Sequence, residues 1–281
     1  MPERPVVDLH SHSDASDGVL PPAALVARAA ELGLRVLALT DHDTTAGLAE
    51  AVASGKQHGV EVIRGLELGI SVSQGELHML GYFIEPAAPR LQQTLATLRE
   101  GRRDRAAVMV RQLNQAGVPL TLEEVERLAG GEVVGRAHVA RALVKRGIAG
   151  SMNEAFDRFL SPGKPGYAPR PRLSAEEAID VIHAAGGAAV LAHPFSVADL
   201  AETLPRLAAH GLDGLEVFYA AYDDLARARL AVLAVQFGLA PTGGSDFHGI
   251  PGPGAEGRAL GSAPVPLDAV TLLRARAEGR H

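Results

Sequence analysis

VVDLHSHSDASDG, Val6 to Gly18, begins as an apolar strand and then places two histidines and two aspartates within eight residues. Side chains alternate across a strand, so His10 and His12 are expected on one face, with Val7 and Leu9 on the other, packed on surrounding helices. Two imidazoles on one side make either a metal site or a polar strand end. Within this stretch both remain open.

Outward from it, to about residue 85, apolar runs alternate with helical patterns: PPAALVARAAELG, RVLALTDHD, a helix from about Thr45 to His58, then VEVIRGLELGISVS and ELHMLGYFI. This order, with short connections, reads as parallel β/α units. Pro21 and Pro22 sit where a helix start tolerates proline, and Gly33 and Gly59 where helices end. From about Ala88 to Leu160 the pattern becomes four or five helical segments, parted near Gly101, Gly117, Gly131 and Gly150. SPGKPGYAPRP, Ser161 to Pro171, reads as a return linker. Alternation then resumes with a helix around Ala175 to Ala185, AAVLAHP, a helix through Leu207, DGLEVF, a helix through Phe237 and LAPTGGSDFHG. The loop GIPGPGAEGRALG and a helix from about Leu267 complete the chain. The expected organisation is an α/β domain, 1–87 with 168–281, interrupted by a helical subdomain at 88–167.

Composition narrows the chemistry. Hydrophobic residues are 47% of the chain and aromatic ones 4%, which suits many helices on a buried sheet. Cysteine is absent, so disulfides and thiolate ligands are excluded and a reducing cytoplasm is expected. No leader and no membrane-spanning run is expected. The net charge of −6 argues against a general nucleic-acid coat. Arginines 99, 102, 103, 105 and 111 are expected to form a solvated helix face; a second basic group comprises Arg136, Arg141, Lys145 and Arg146.

The unusual polar residues recur at strand ends. His10 and His12 end the first strand, His42 follows VLALT, Glu67 follows VIRGL, His78 lies in the next strand, His193 ends AAVLAH, and Asp246 and His248 follow APTGGS. With Asp17 these are nine candidate ligands, nearly all at the edge where β/α barrels and open parallel sheets build active sites. Eleven histidines would give about 0.4 His-x-His pairs by chance, so one pair is weak evidence and recurrence at one edge is strong. His58, His183, His210 and His281 are read as structural or surface residues.

Nine donors exceed the roughly four to six that one zinc or manganese ion takes, so two or three ions are expected. Asp17, Glu67 and Asp246 supply three negative charges, which leaves such a cluster positive and suited to phosphate. Neighbouring ions can clamp a phosphoryl group, acidify a bound water and stabilise the leaving oxygen. Glu67 is the residue chosen to bridge them. Asp8 shares the histidine face and is expected to orient one imidazole; Asp14 is read as a solvated turn residue.

DLHSHSDASDG, LTDHD, GLEL, ELHMLGY, LAHP and GSDFHG, in that order, resemble the successive motifs of the PHP (polymerase and histidinol phosphatase) family. The resemblance spans both strand-rich segments. It implies a distorted seven-stranded β/α barrel whose multinuclear metal centre hydrolyses phosphate esters. Position by position it makes His10, His12, Asp17, His42, Glu67, His78, His193, Asp246 and His248 the ligands of two or three divalent ions. Manganese is the first choice, and zinc, iron or magnesium fit the same donors.

The insertion, with GRAHVAR and SPGKPGY, resembles the branch acting on 3′,5′-nucleoside bisphosphates and on 5′ ends of short RNA. That implies removal of the 3′ phosphate from a pAp-like nucleotide. The alternatives are a 5′-3′ exoribonuclease on short 5′-phosphorylated RNA, a histidinol phosphatase, and a non-catalytic metal-containing nucleotide scaffold. The expected partner is a small nucleotide with two phosphates, with no membrane and no obligate protein partner. Arg136 and His138, near a helix start, are expected to hold substrate phosphates; Lys164 and Tyr167 are linker candidates for the same task. A hydroxide held by the metals is expected to attack phosphorus in line, and Asp41, Asp43 and His138 are candidates for protonating the leaving oxygen.

Overall fold

The structure, a computed structural model, describes residues 6–70, 77–130, 134–168, 173–197, 199–249 and 258–279. Gly131, the last three residues of the expected linker, most of the loop GIPGPGAEGRALG and His281 lie outside these ranges. The chain forms two compact units, Met1–Thr94 with Leu173–His281, and Leu95–Arg172.

The first unit is built on seven strands: β1 (Val7–Asp8), β2 (Val36–Leu39), β3 (Glu61–Ile70), β4 (Leu77–Tyr82), β5 (Ala188–Leu191), β6 (Gly214–Tyr219) and β7 (Ala240–Gly244). They neighbour one another in chain order. Beyond the short β1 the ring closes onto β7: Leu9 N–H donates to Gly243 O at 3.2 Å, His12 N–H to Phe247 O at 2.9 Å, and Asp246 N–H to His10 O at 2.8 Å. The result is a nearly closed barrel. Regular strand geometry stops at Asp8, so alternation does not aim His10 and His12; this pairing to the segment after β7 does.

All neighbouring pairs are parallel except those of β4, which runs antiparallel to β3 and β5. The purely parallel expectation fails there for a reason visible in chain order. Only six residues lie between the end of β3 at Ile70 and the start of β4 at Leu77, whereas a parallel return needs a crossover of about a dozen or more.

Helices α1 (Pro22–Glu31) and α2 (Leu48–His58) connect the first three strands. Farther along lie α7 (Ala175–Ala184), α8 (Leu200–His210), α9 (Asp224–Gln236) and α10 (Asp268–Glu278), after α3 to α6 of the insertion. Local chemistry fixes their ends: Pro22 opens α1, Ser174 and Glu177 form a reciprocal cap on α7, and Asp223 caps α9. Val7, Leu9, Val36, Ala38, Ile63, Tyr82, Ala188 and Ala240 pack in one buried cluster with Ala269, Val270 and Leu273 of α10. Val7 and Leu9 therefore face other strands across the barrel, not only outer helices. Apart from Leu9, Ala38 and Ile63, these strand residues sit at or beside the ends remote from the histidines, so α10 closes the floor.

The second unit contains most of α3 (Pro89–Gln115), with α4 (Leu122–Ala129), α5 (Arg136–Lys145) and α6 (Met152–Ala155), the last running into a π-helical turn at Phe156–Leu160. No strand occurs among its described residues. Met109, Leu113, Val125, Val139, Leu143 and Leu160 form its core. The break expected near Gly101 is absent, because one glycine costs a helix interior about 1 kcal/mol and a 27-residue helix absorbs that.

Gly244, at the end of β7, presses against the histidine-bearing segment after β1: a Cβ there would stand 2.4 Å from both Cβ and N of His10. Gly244→Ala should cost about 1–3 kcal/mol of stability and displace His10. Thermal unfolding, together with the metal retained after dialysis, measures both effects.

Candidate metal centre

All nine donors expected from the sequence meet at one end of the barrel. His10 and His12 come from the segment after β1, Asp17 from the turn that follows, and His42 from just past β2. Glu67 lies in β3. His193 follows β5, and Asp246 and His248 follow β7. His78 is the second residue of β4 and pairs with Gly69, so the reversed strand delivers it to the same end from its beginning.

Glu67 is the hub, 1% exposed. Its Oε2 lies 3.2 Å from His10 Nε2, 3.2 Å from His12 Nε2 and 3.1 Å from His42 Nδ1. Its Oε1 lies 2.8 Å from His78 Nδ1 and 3.3 Å from His193 Nε2. Asp246 Oδ1 adds contacts at 3.4 Å to His10 and 3.2 Å to His12, and Asp17 Oδ1 lies 3.2 Å from His248 Nε2. Three overlapping groups could each hold an ion: His12, Asp17, His42 and His248; His10, His12, Glu67 and Asp246; His42, Glu67 and His78.

The polar chemistry fits divalent cations better than hydrogen bonding. Both ring nitrogens of His12, Nδ1 of His42 and Nε2 of His78 are buried without a hydrogen-bond partner, a costly state for polar atoms unless something else satisfies them. Burial alone would lower the pKa of His12, yet the Asp246 and Glu67 carboxylates, each 3.2 Å from Nε2, lift it to about 10 by favouring the charged ring. Burial wins at His42, whose pKa falls to about 3 despite Glu67 and Asp17. Burial would raise Glu67, but His42, His78 and His10 hold it well below the usual carboxylate range.

Several contributors carried no motif. Glu216 of β6 is fully buried, 2.8 Å from His10 Nδ1, and accepts the His193 backbone N–H at 2.6 Å. It takes the orienting role expected of Asp8, which instead accepts the backbone N–H groups of His10, Ser245 and Gly261. A glutamate inside the apolar run GLEVF was the available signal. With Glu216 counted, four carboxylates touch the histidines, so two divalent ions give a neutral cluster and only a third leaves it positive. Ser196 Oγ lies 3.1 Å from His193 Nδ1. Tyr219 donates to Asp246 Oδ2 at 2.8 Å, and Arg258 to the same oxygen at 3.2 Å. Asp41 accepts from the Ser13 backbone and from the Ser13 and Ser16 hydroxyls at 2.6–2.7 Å, which braces the turn carrying Asp17. Asp43 accepts the Gly69 N–H.

The insertion candidates lie in the helical unit. Arg136 opens α5, its guanidinium 5.3 Å from the Phe156 ring centre. His138 is buried, and its Nδ1 accepts the Gly135 N–H at 3.0 Å, fixing the helix start. Lys164 and Tyr167 lie in successive turns linked by a Tyr167 N–H bond to Lys164 O. Of the α3 arginines, Arg103 pairs with Glu126 on an exposed face and Arg105 donates to Ala168 O.

Residues 8–156 match the PHP domain family. The chain is 43% identical over 249 residues to the 5′-3′ exoribonuclease Rnm of Escherichia coli, covering 86% of this chain and 85% of the relative. It is 40% identical over 263 residues to the 3′,5′-nucleoside bisphosphate phosphatase of Chromobacterium violaceum, covering 91% and 90%. A solved structure described as a candidate metal-dependent phosphoesterase of Bifidobacterium adolescentis superposes with a TM-score of 0.87 at 34% identity over 98% of both chains.

Metal ligation requires neutral imidazoles. His10 and His12, raised above 6.5 without metal, hold protons at neutral pH that incoming ions must expel. Metal addition should therefore release protons, and apparent affinity should rise with pH between about 6.5 and about 10. Calorimetry in buffers of different ionisation enthalpy measures this; binding without proton release would contradict it. Glu216→Gln should weaken metal affinity about 10–100-fold, read by competition with a chelator.

Proposed function

The chain belongs to the PHP-domain family and is a phosphoric ester hydrolase, and we propose that it removes the 3′ phosphate from nucleoside 3′,5′-bisphosphates. The observation that carries this reading is Glu67, a buried carboxylate dividing two oxygens among five imidazoles. A carboxylate so placed suits bridging of adjacent divalent ions, and three such ions would make a positive centre for a phosphate ester. Divalent ions, manganese in this proposal, would supply Lewis-acid activation of the phosphoryl group and of a water molecule.

The chain's own residues set the stage for that chemistry. Glu216 and Ser196 hold the rings of His10 and His193, while Tyr219 and Arg258 fix Asp246. Asp41 spends both oxygens on Ser13 and Ser16, so its proposed task is to brace the Asp17 turn. Arg136 is proposed to hold the second phosphate; His138, Lys164 and Tyr167 are secondary candidates. Among described residues no helix is long and apolar enough to cross a membrane, and the cytoplasm is the proposed location.

Exoribonuclease action is a second reading, supported by the 43% identity to the Escherichia coli relative. The two readings share chemistry. An enzyme releasing 5′-mononucleotides from a 5′-phosphorylated strand breaks the 3′-oxygen to phosphorus bond, the same bond that is broken in pAp.

Purified protein with manganese should release phosphate from pAp at least about tenfold faster than from 5′-AMP or histidinol phosphate; equal rates would overturn the proposal. Mononucleotides appearing from the 5′ end of short 5′-phosphorylated RNA, in preference to pAp turnover, would favour the second reading. Arg136→Ala should raise KM for pAp about 10–100-fold, the loss of a charged phosphate contact.

A further inference from the structure

A cavity of about 380 Å³ opens beside the candidate metal centre, lined by His193, Phe195, Ser196, Tyr219, Tyr222 and Asp246. One end consists of two donors, His193 and Asp246. From them a train of rings leads away: His193 to Tyr219 at 5.9 Å between centroids, Tyr219 to Tyr222 at 5.0 Å, and Tyr222 to Phe195 at 5.3 Å. The chain has only four tyrosines and seven phenylalanines, and three of these eleven gather here. Phe195 ends the train 44% exposed, although an aromatic ring left in water forgoes burial energy.

Hydrogen bonds hold the walls of this cavity in shape. Tyr219 donates its hydroxyl to Asp246, the Tyr222 hydroxyl oxygen accepts the Phe195 backbone N–H at 3.0 Å, and Ser196 Oγ donates to His193 O at 2.9 Å. What the wall chiefly offers a ligand is aromatic surface, fixed in orientation by these bonds and adjoining the place where phosphate is proposed to bind. Such surface holds a planar ring by stacking, and stacking without edge readout accepts any base.

We propose that the Phe195, Tyr222 and Tyr219 ledge is the nucleobase subsite, receiving the base of a nucleotide whose phosphate lies toward His193 and Asp246. This rests on the reading of the substrate as a nucleotide. It makes the enzyme selective for a nucleoside over a bare sugar phosphate, and indifferent among the four bases.

The test compares affinities of the full metal-loaded chain for 5′-AMP and ribose 5-phosphate by calorimetry, with KM and kcat for pAp alongside. Wild type should bind 5′-AMP about 5–100-fold more tightly than ribose 5-phosphate. Phe195→Ala should collapse that ratio toward one, leave ribose 5-phosphate affinity unchanged, and raise KM for pAp with kcat within about twofold. Phe195→Trp should restore the ratio. A wild-type ratio near one, a ratio insensitive to Phe195→Ala, or equal weakening of both ligands would overturn the subsite. A Phe195-dependent preference for 5′-AMP over ribose 5-phosphate without pAp hydrolysis would sink the bisphosphate reading and leave the subsite standing. Hydrolysis of pAp with a Phe195-insensitive ratio would do the reverse.

Discussion

Burying an ionised carboxylate costs several kcal/mol unless partners compensate it, and Glu67 is almost wholly withdrawn from solvent. Five imidazoles from five points in the chain surround it. Protons alone satisfy this arrangement poorly, because the rings that stabilise Glu67 crowd one another. Burial, reinforced by His12 and His78, keeps His42 from charging, while His12 is driven toward the protonated state by the carboxylates it touches. Ring nitrogens remain without hydrogen bonds. Divalent ions would meet both needs, supplying positive charge to the carboxylates and accepting the lone pairs that find no donor.

Holding donors that close demands a backbone that bends sharply at the strand ends. Asp43, His193 and Asp246 all have positive φ, at 52°, 27° and 53°, a conformation costing roughly 1–3 kcal/mol per residue. Each is tied by its own N–H: Asp43 to Glu67 O, His193 to Glu216 Oε2, Asp246 to His10 O. The strain and the site are thus one structure, supported from below by the apolar interior that α10 closes. Reversal of β4 serves the same end, since only a strand beginning at the mouth places His78 there while Tyr82 reaches the floor.

Much of this was legible in the residues. Strand and helix order followed from hydrophobic periodicity and from proline and glycine punctuation, and the nine donors stood out because polar residues recurred where strands ended. The helix continuing through Gly101 and the antiparallel β4 were less legible, because the first depends on packing along a long helix and the second on how two adjacent strands pair. Glu216 left a trace, a charge inside an apolar strand. Tyr219, Ser196 and Arg258 left none: tyrosine, serine and arginine are common at and beyond strand ends, and nothing in the residue type or its spacing marks the ones whose side chains reach Asp246 or His193.

The sequence by itself determined which donors exist, in what order along the chain they come, and that without cysteine the chemistry belongs to imidazole and carboxylate. The tertiary structure alone decided that Glu67 is shared by five rings, that the His10 imidazole leans on Glu216 while Asp8 holds only its backbone, and that three aromatic rings line up beside Asp246. The physical reason lies in range. Periodicity and caps act over a few residues, whereas coordination and stacking depend on ångström distances between atoms that chain order can separate by more than two hundred positions, as from His10 to Asp246.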